Sequence, residues 1–145
     1  MHKELLSSAK SIEKVYNGLC EKVSSKYNIS KLELSILMYL GVHSEGTARD
    51  IVNLLHISKS AVSQAIEELM KKELVYGKHN ENDRRCVILE LQDSAKEILL
   101  EADRVNQEFQ KVVGAGIPEK DLEVFQKTLK HMLENIVEAS KKIKD

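Results

Sequence analysis

The chain has 145 residues, with 22 lysines and arginines against 23 aspartates and glutamates and a formal net charge of −1. Its length favours one compact domain, and a single proline among many leucines, isoleucines, lysines and glutamates favours helices over sheet. The longest run without a charged residue, residues 34–44, is far shorter than the roughly 20 residues that cross a bilayer. Charged residues near the start argue against a secretory signal, so we expect a cytoplasmic protein with no membrane partner.

Two helices are predicted in the first part of the chain. Apolar residues at helical spacing indicate an opening helix of about 25 residues that reaches Tyr27. A capping box then starts the next helix, because Ser30 can cap it and Glu33 stands three residues later. Ile29 and Leu34 can form the accompanying hydrophobic staple.

A helix-turn-helix arrangement follows. Thr47 and Asp50 are a second capping-box candidate and open a short helix. After a break at residues 56–57, Ser58 can cap a longer helix that runs to about Lys72. A short helix, a tight turn and a longer helix are the elements of a DNA-reading motif.

The exposed side of this longer helix carries small donors and acceptors with one cation, the side-chain types that reach base edges and phosphates. Acid is absent from its first two turns, although Glu67 and Glu68 follow directly. The alternative is an ordinary solvated helix face. The residues on this side are Lys59, Ser60, Ser63 and Gln64.

A two-stranded hairpin is predicted next. Residues 74–76 and 86–91 read as strands, and the polar stretch 80–85 forms the tip. An arginine on such a wing fits the narrow minor groove, and Asp83 can orient it by hydrogen bonding. The alternative is a plain hairpin turn with a surface ion pair.

The helices at both ends of the chain are too long for the core that the middle provides. Apolar stripes run through residues 95–112 and 122–143 as well as through the first helix. Their ends need another apolar surface, and a second copy related by a two-fold axis supplies it. A monomeric bundle with frayed ends is the alternative. The fold class is therefore mainly α with a small β-hairpin wing.

In their order, these motifs resemble the MarR family of bacterial and archaeal transcriptional regulators. The most specific part runs from Thr47 through residues 57–63 to the Asp83-Arg84-Arg85 tip and residues 89–91. The resemblance implies a homodimer whose two winged helix-turn-helix lobes read a pseudo-palindromic operator on double-stranded DNA. It assigns to DNA the residues Thr47, Ser58, Lys59, Ser60, Ser63, Gln64, Asp83, Arg84 and Arg85.

Within this scheme each part of the chain has a role. The whole chain, 1–145, is one MarR-like domain, residues 30–91 form the DNA-binding lobe, and residues 1–29 and 92–145 form the dimerisation helices. The Ser58–Gln64 segment enters the major groove. Arg85 enters the minor groove, held by Asp83, and Arg84 lies near the backbone.

Four positions depart from the family pattern. Glu73 stands where the family usually has a glycine after the recognition helix, so the end of that helix must close differently, at some cost if the closure is left-handed. Gly77 replaces a common arginine at the base of the wing. After the wing, Gln92 and Ala95 replace the usual threonine and glycine, which leaves Asp93 as the capping candidate.

Proteins similar to this family commonly release DNA when a small phenolic or lipophilic effector binds between the dimer helices and the DNA lobe. Others sense oxidants through cysteine, but Cys20 lies on an apolar stripe and is expected to be a packed thiol. Cys86 is expected to be an ordinary strand thiol, although Arg84 and Arg85 stand directly before it. The histidines make no metal-ligand spacing with the cysteines, so no metal or cofactor is expected.

We therefore predict a DNA-binding transcriptional repressor and not an enzyme, since no phosphate loop or catalytic pairing can be argued from the spacing. The alternative is a winged-helix protein-interaction module, which the negative net charge favours slightly. Residues 46–91 balance seven basic against seven acidic residues. The cationic footprint is thus small, and a gentle salt dependence of DNA binding is expected.

Overall fold

The structure is a computed structural model that describes residues 2–79, 81–83 and 86–143. The described chain is mainly helical with a small antiparallel sheet, which confirms the predicted fold class. It divides into two compact units, residues 1–109 and residues 110–145. In chain order the elements are α1 (His2–Lys26), α2 (Lys31–His43), β1 (Glu45–Gly46), α3 (Ala48–Leu55), α4 (Lys59–Lys71), β2 (Val75–His79), β3 (Val87–Leu91), a 3-10 turn (Asp93–Ala95), α5 (Lys96–Val113) and α6 (Glu119–Ile143).

Helix α2 supplies the centre of the first unit. Its predicted apolar residues Ile36, Leu37 and Leu40 are fully buried, and Val62 and Leu69 of α4 join them in one core. Burying a side chain of this size stabilises the fold by about 1.5–3 kcal/mol. The core therefore fixes α4 by its apolar side and leaves its opposite side exposed.

Both predicted capping boxes are present. The Oγ of Ser30 accepts a hydrogen bond from the main-chain nitrogen of Glu33 at 3.1 Å, and Oε2 of Glu33 accepts one from the nitrogen of Ser30 at 2.9 Å. Thr47 and Asp50 make the same pair of bonds at 3.2 and 2.9 Å. These bonds satisfy helix donors that would otherwise lack partners, so the sequence defines where α2 and α3 begin.

The sheet differs from the predicted two-stranded hairpin. Glu45 and Gly46 form a third strand, β1, which pairs with β3 to give the order β1-β3-β2. The first wing strand is also longer than predicted, since β2 pairs with β3 as far as His79 opposite Val87. Gly46 is required at its position, because a Cβ there would lie 2.5 Å from Cε1 of Tyr39.

The end of α4 closes through Glu73 in the left-handed region, with φ of 56°. The nitrogen of Glu73 donates to the carbonyl of Met70, and the nitrogen of Leu74 donates to that of Leu69, both at 3.0 Å. This is the Schellman arrangement that usually takes glycine, and a non-glycine residue there costs about 1 kcal/mol. The prediction that this helix end would close differently is wrong, because Glu73 adopts the left-handed conformation that a glycine would take there.

The capping role predicted for Asp93 is wrong. Gln92 precedes the 3-10 turn and makes no side-chain cap bond, and its carbonyl accepts from the nitrogen of Ala95 at 3.0 Å. The carboxylate of Asp93 pairs instead with Lys96 at 2.8 Å. A local 3-10 turn thus replaces a side-chain cap at the approach to α5.

The second unit exposes an apolar stripe along α6. Phe125, Leu133 and Ile136 keep 60%, 53% and 61% of their surface exposed. Among the described residues, no helix combines the length and the apolar character needed to cross a membrane.

Candidate nucleic-acid interface

The turn between α3 and α4 sets the direction of the candidate recognition helix. His56 adopts a left-handed conformation with φ of 53°, and its nitrogen donates to the carbonyl of Val52 at 3.0 Å. Ser58 then caps α4, because its Oγ accepts from the nitrogen of Ala61 at 3.2 Å. The hydroxyl of Ser58 acts as an acceptor in this cap, so its own hydrogen remains to donate outward.

The first two turns of α4 present the predicted polar face. Lys59, Ser60 and Gln64 are exposed and Ser63 is half-buried, while Val62 on the opposite side is buried. The first turn of α4 contains no acid. The free nitrogens and the positive end of the helix dipole therefore add to the charge of Lys59 and make this end attractive to an anion.

Thr47 lies at the start of α3 and has a structural role there. Its hydroxyl donates to Oδ2 of Asp50 at 2.6 Å and also accepts in the capping box. This hydrogen bond from Thr47 holds the pKa of Asp50 below its usual value. Thr47 is thus brought close to the turn but its side chain is already engaged.

The wing tip lies only partly within the described residues. Asp83 is exposed, and its carbonyl accepts from the nitrogen of Cys86 at 2.9 Å. Arg84 and Arg85 lie outside the described residues, so the predicted contact between Asp83 and an arginine remains a prediction.

The outer side of the wing carries an ion-pair network that the sequence did not reveal. Lys78 pairs with Glu90, and its Nζ lies 3.9 Å from Oε2 of Glu45. The hydroxyl of Tyr76 also donates to Glu90. The hydrogen bonds from Lys78 and Tyr76 lower the pKa of Glu90. Lys78 is therefore balanced by acid, which keeps the cationic footprint of the lobe small.

Close packing around Gly77 explains why glycine replaces the arginine that the family commonly has at this position. A Cβ at this position would lie 2.7 Å from Cγ1 of Val87 and 3.0 Å from Cε of Met70. The wing base packs directly against α4 here, so a larger side chain would displace the strand.

A cavity of about 290 Å³ lies between α1, α2 and α3 in the first unit. Its walls are mainly apolar and aromatic and include Tyr16, Cys20, Met38 and Tyr39, and Lys31 also lines it. Burial raises the pKa of Tyr16 to about 12, and its hydroxyl donates to Oδ1 of Asn106 at 2.7 Å. The cavity thus combines apolar walls with a few polar groups, as small-molecule sites do.

The two cysteines lie in different surroundings. Cys20 is 7% exposed, which confirms that it is packed, and burial raises the pKa of its thiol. Cys86 is half-buried beside the wing tip. Within the part of the chain that the structure describes, no three His, Cys, Asp or Glu side chains cluster as metal ligands.

The arrangement of α3, α4 and the β2–β3 hairpin defines a winged helix-turn-helix protein. Residues 27–85 match the model of the MarR family. The chain is also similar to an uncharacterized HTH-type transcriptional regulator, YfiV, of Bacillus subtilis (strain 168), with 32% identity over 73 residues. That match covers 50% of this chain and 46% of the relative, so the matched part is about half the length of each protein.

Solved structures share the fold over most of the chain. A MarR-family transcriptional regulator from Silicibacter pomeroyi matches with a TM-score of 0.80 and 19% identity, covering 88% of this chain and 86% of its own. A MarR-family protein from Listeria monocytogenes, complexed with 26mer DNA, matches with a TM-score of 0.80 and 21% identity, covering 95% and 89%. The fold is therefore the one that these MarR-family structures share, and residues 27–85 carry the match to the family model that the motifs predicted.

Proposed function

We propose that this protein is a DNA-binding transcriptional regulator that acts as a repressor in the cytoplasm and binds a pseudo-palindromic operator as a homodimer. The observation that carries the proposal is the exposed, acid-free face of α4, capped by Ser58 and directed by the αL turn at His56. The family match over residues 27–85 and the DNA-complexed neighbour of the same fold support it.

Each part of the lobe has a distinct task in this proposal. Ser60, Ser63 and Gln64 read base edges in the major groove, and Lys59 neutralises a phosphate. The hydroxyl of Ser58 donates a hydrogen bond to the DNA phosphate backbone while its oxygen caps α4. Arg85 enters the minor groove with Asp83 as its hydrogen-bonding partner.

Dimerisation is proposed through residues 1–29 and 92–145. The apolar stripe of α6, from Phe125 to Ile136, is exposed along the helix. An amphipathic helix whose apolar side faces water is stabilised when a second copy covers it. To read two half-sites one turn of DNA apart, such a dimer would have to hold its two α4 helices about 34 Å apart.

Replacing Arg85 by alanine is expected to weaken binding to a selected duplex by at least about tenfold, because the minor groove concentrates negative potential. Arg104→Ala is the matched control, since it removes the same charge from an exposed position on α5. Fluorescence anisotropy titrations of both variants against the wild type measure the effect. Equal binding by Arg85→Ala and the wild type would contradict the role of the wing.

We also propose that a small phenolic or lipophilic effector occupies the cavity between α1, α2 and α3 and weakens DNA binding. Ser35 lines this cavity and is half-buried, so Ser35→Phe would fill part of its volume. Simple phenols and hydrophobic acids are expected to raise the apparent Kd of the wild type for DNA and to have less effect on this variant. A panel in which no compound shifts the titration would contradict the effector proposal.

A further inference from the structure

An ion pair between a half-buried lysine and a buried glutamate joins the end of α4 to the corner between α1 and α2. The Nζ of Lys72, the residue that follows α4, lies 2.8 Å from Oε2 of Glu33. The same Nζ donates to the main-chain oxygen of Asn28 at 2.9 Å. Glu33 is 5% exposed, whereas the neighbouring pair of Lys71 and Glu68 stands largely in solvent.

The carboxylate of Glu33 serves two elements at once. Its Oε2 accepts from the nitrogen of Ser30 in the capping box and from Lys72 of the other helix. A buried carboxylate that loses its cation still carries the free-energy cost of leaving water, and no ion pair offsets that cost. Separating Lys72 from Glu33 is therefore unfavourable. The charge of Lys72 also faces a carbonyl just beyond the end of α1, where a cation is favourable.

Lys72 lies at the opposite end of α4 from the start of the predicted reading face, while Glu33 lines a shallow pocket that Gln64 of that face also borders. Ser60 and Lys72 are separated by about 18 Å along the helix axis. If α4 tilted by about 5° around its C-terminal end, its N-terminal end would move by about 1.6 Å. Hydrogen bonds to base edges tolerate only a few tenths of an ångström, so the anchor at Lys72 controls contacts far from it.

We propose that Lys72 is a positioning residue for DNA recognition, which acts through Glu33 and Asn28 to fix the tilt of α4 and does not itself contact DNA. This inference rests on the DNA-binding function proposed above. A direct phosphate contact by Lys72 makes the opposite prediction, since removing the charge of Glu33 would then free the lysine and strengthen binding.

The test uses a 40-base-pair duplex that the wild-type protein recovers from a random-sequence pool, with a scrambled duplex of the same length. Glu33→Gln keeps an acceptor for Ser30, and Lys72→Met keeps the chain length of the lysine. Each variant is expected to bind the selected duplex about tenfold more weakly and the scrambled duplex equally well, with an unchanged salt slope. Lys72→Arg, which keeps the charge, is expected to retain most of the discrimination.

Three results would overturn the inference. The positioning role is contradicted if Glu33→Gln binds the selected duplex as well as the wild type does, or better. Lys72→Met that weakens both duplexes equally and lowers the salt slope by about one identifies a phosphate contact. Melting curves show whether the single variants fold. If the single variants do not fold, the double variant of Glu33→Gln and Lys72→Met is used, because it leaves no unpaired buried charge. The inference is overturned if this double variant distinguishes the selected from the scrambled duplex as well as the wild type does.

The wild-type protein itself separates this inference from the proposed function. A wild type that retains no duplex from the pool contradicts DNA binding and the positioning role together. If the wild type and the variants distinguish the selected from the scrambled duplex equally well, only the positioning role is contradicted.

Discussion

Ser60→Glu is expected to abolish specific DNA binding, with a loss of about 100-fold or more, while the protein stays folded. Ser60 is exposed in the first turn of α4, and that turn contains no acid. A carboxylate there would face the phosphates or base edges of DNA, and like-charge contacts at an interface cost several kcal/mol. The two lobes of a dimer would each carry the change.

The same substitution should not harm the helix. An acid near the N-terminus of a helix interacts favourably with the helix dipole, by about 0.3–1 kcal/mol. The thermal midpoint of Ser60→Glu is therefore expected to equal or slightly exceed that of the wild type. Asn135→Asp, which adds the same charge at an exposed position on α6 away from its apolar stripe, is the control and should bind as the wild type does. Retained affinity in Ser60→Glu would exclude this face from the interface.

Leu133→Glu is expected to convert the protein to a monomer and to abolish operator binding with it. Leu133 is 53% exposed on the apolar stripe of α6. A charge at the centre of a buried apolar interface would lose its hydration without a partner, which costs several kcal/mol in each protomer. A single lobe would then bind only one half-site and lose the gain from bivalent attachment.

Asn135→Asp is the matched control for Leu133→Glu. It adds the same charge to the same helix, on the side that faces away from the apolar stripe. Sedimentation velocity measures the oligomeric state of the wild type and both variants. The wild type and Asn135→Asp are expected to sediment as dimers, and a dimer formed by Leu133→Glu would contradict the role of α6.

The features predicted well from the sequence depend on contacts within a few residues. The capping boxes at Ser30 and Thr47 each join residues three positions apart, so the starts of α2 and α3 could be placed closely. The buried side of α4 followed from its helical periodicity.

The features that the sequence did not reveal depend on distant partners. Strand β1 has two residues and no strand signal, and it exists because Gly46 meets Leu89 of β3. Asp93 looked like a cap, but a 3-10 turn and the nearby Lys96 determine its local structure. Local reasoning finds neither result, because each depends on how the chain packs around the sheet or the start of α5.

The candidate site shows the same division. Exposure of Lys59, Ser60 and Gln64 could be predicted from the position of the apolar face alone. The ion pair between Glu33 and Lys72 could not, because 39 positions separate them and Glu33 already had a capping role in the sequence. Long-range charge pairs therefore require the folded chain.

The most direct test of DNA recognition is an anisotropy titration of the wild-type protein with a selected duplex and a scrambled duplex over a range of salt concentrations. A sequence-specific regulator should bind the selected duplex at least about 1,000-fold more tightly. Its affinity should fall with salt along a gentle slope, as the few exposed cations of the lobe imply. Equal affinity for the two duplexes, or no binding to either at low salt, would contradict the proposed function and favour a protein-interaction module.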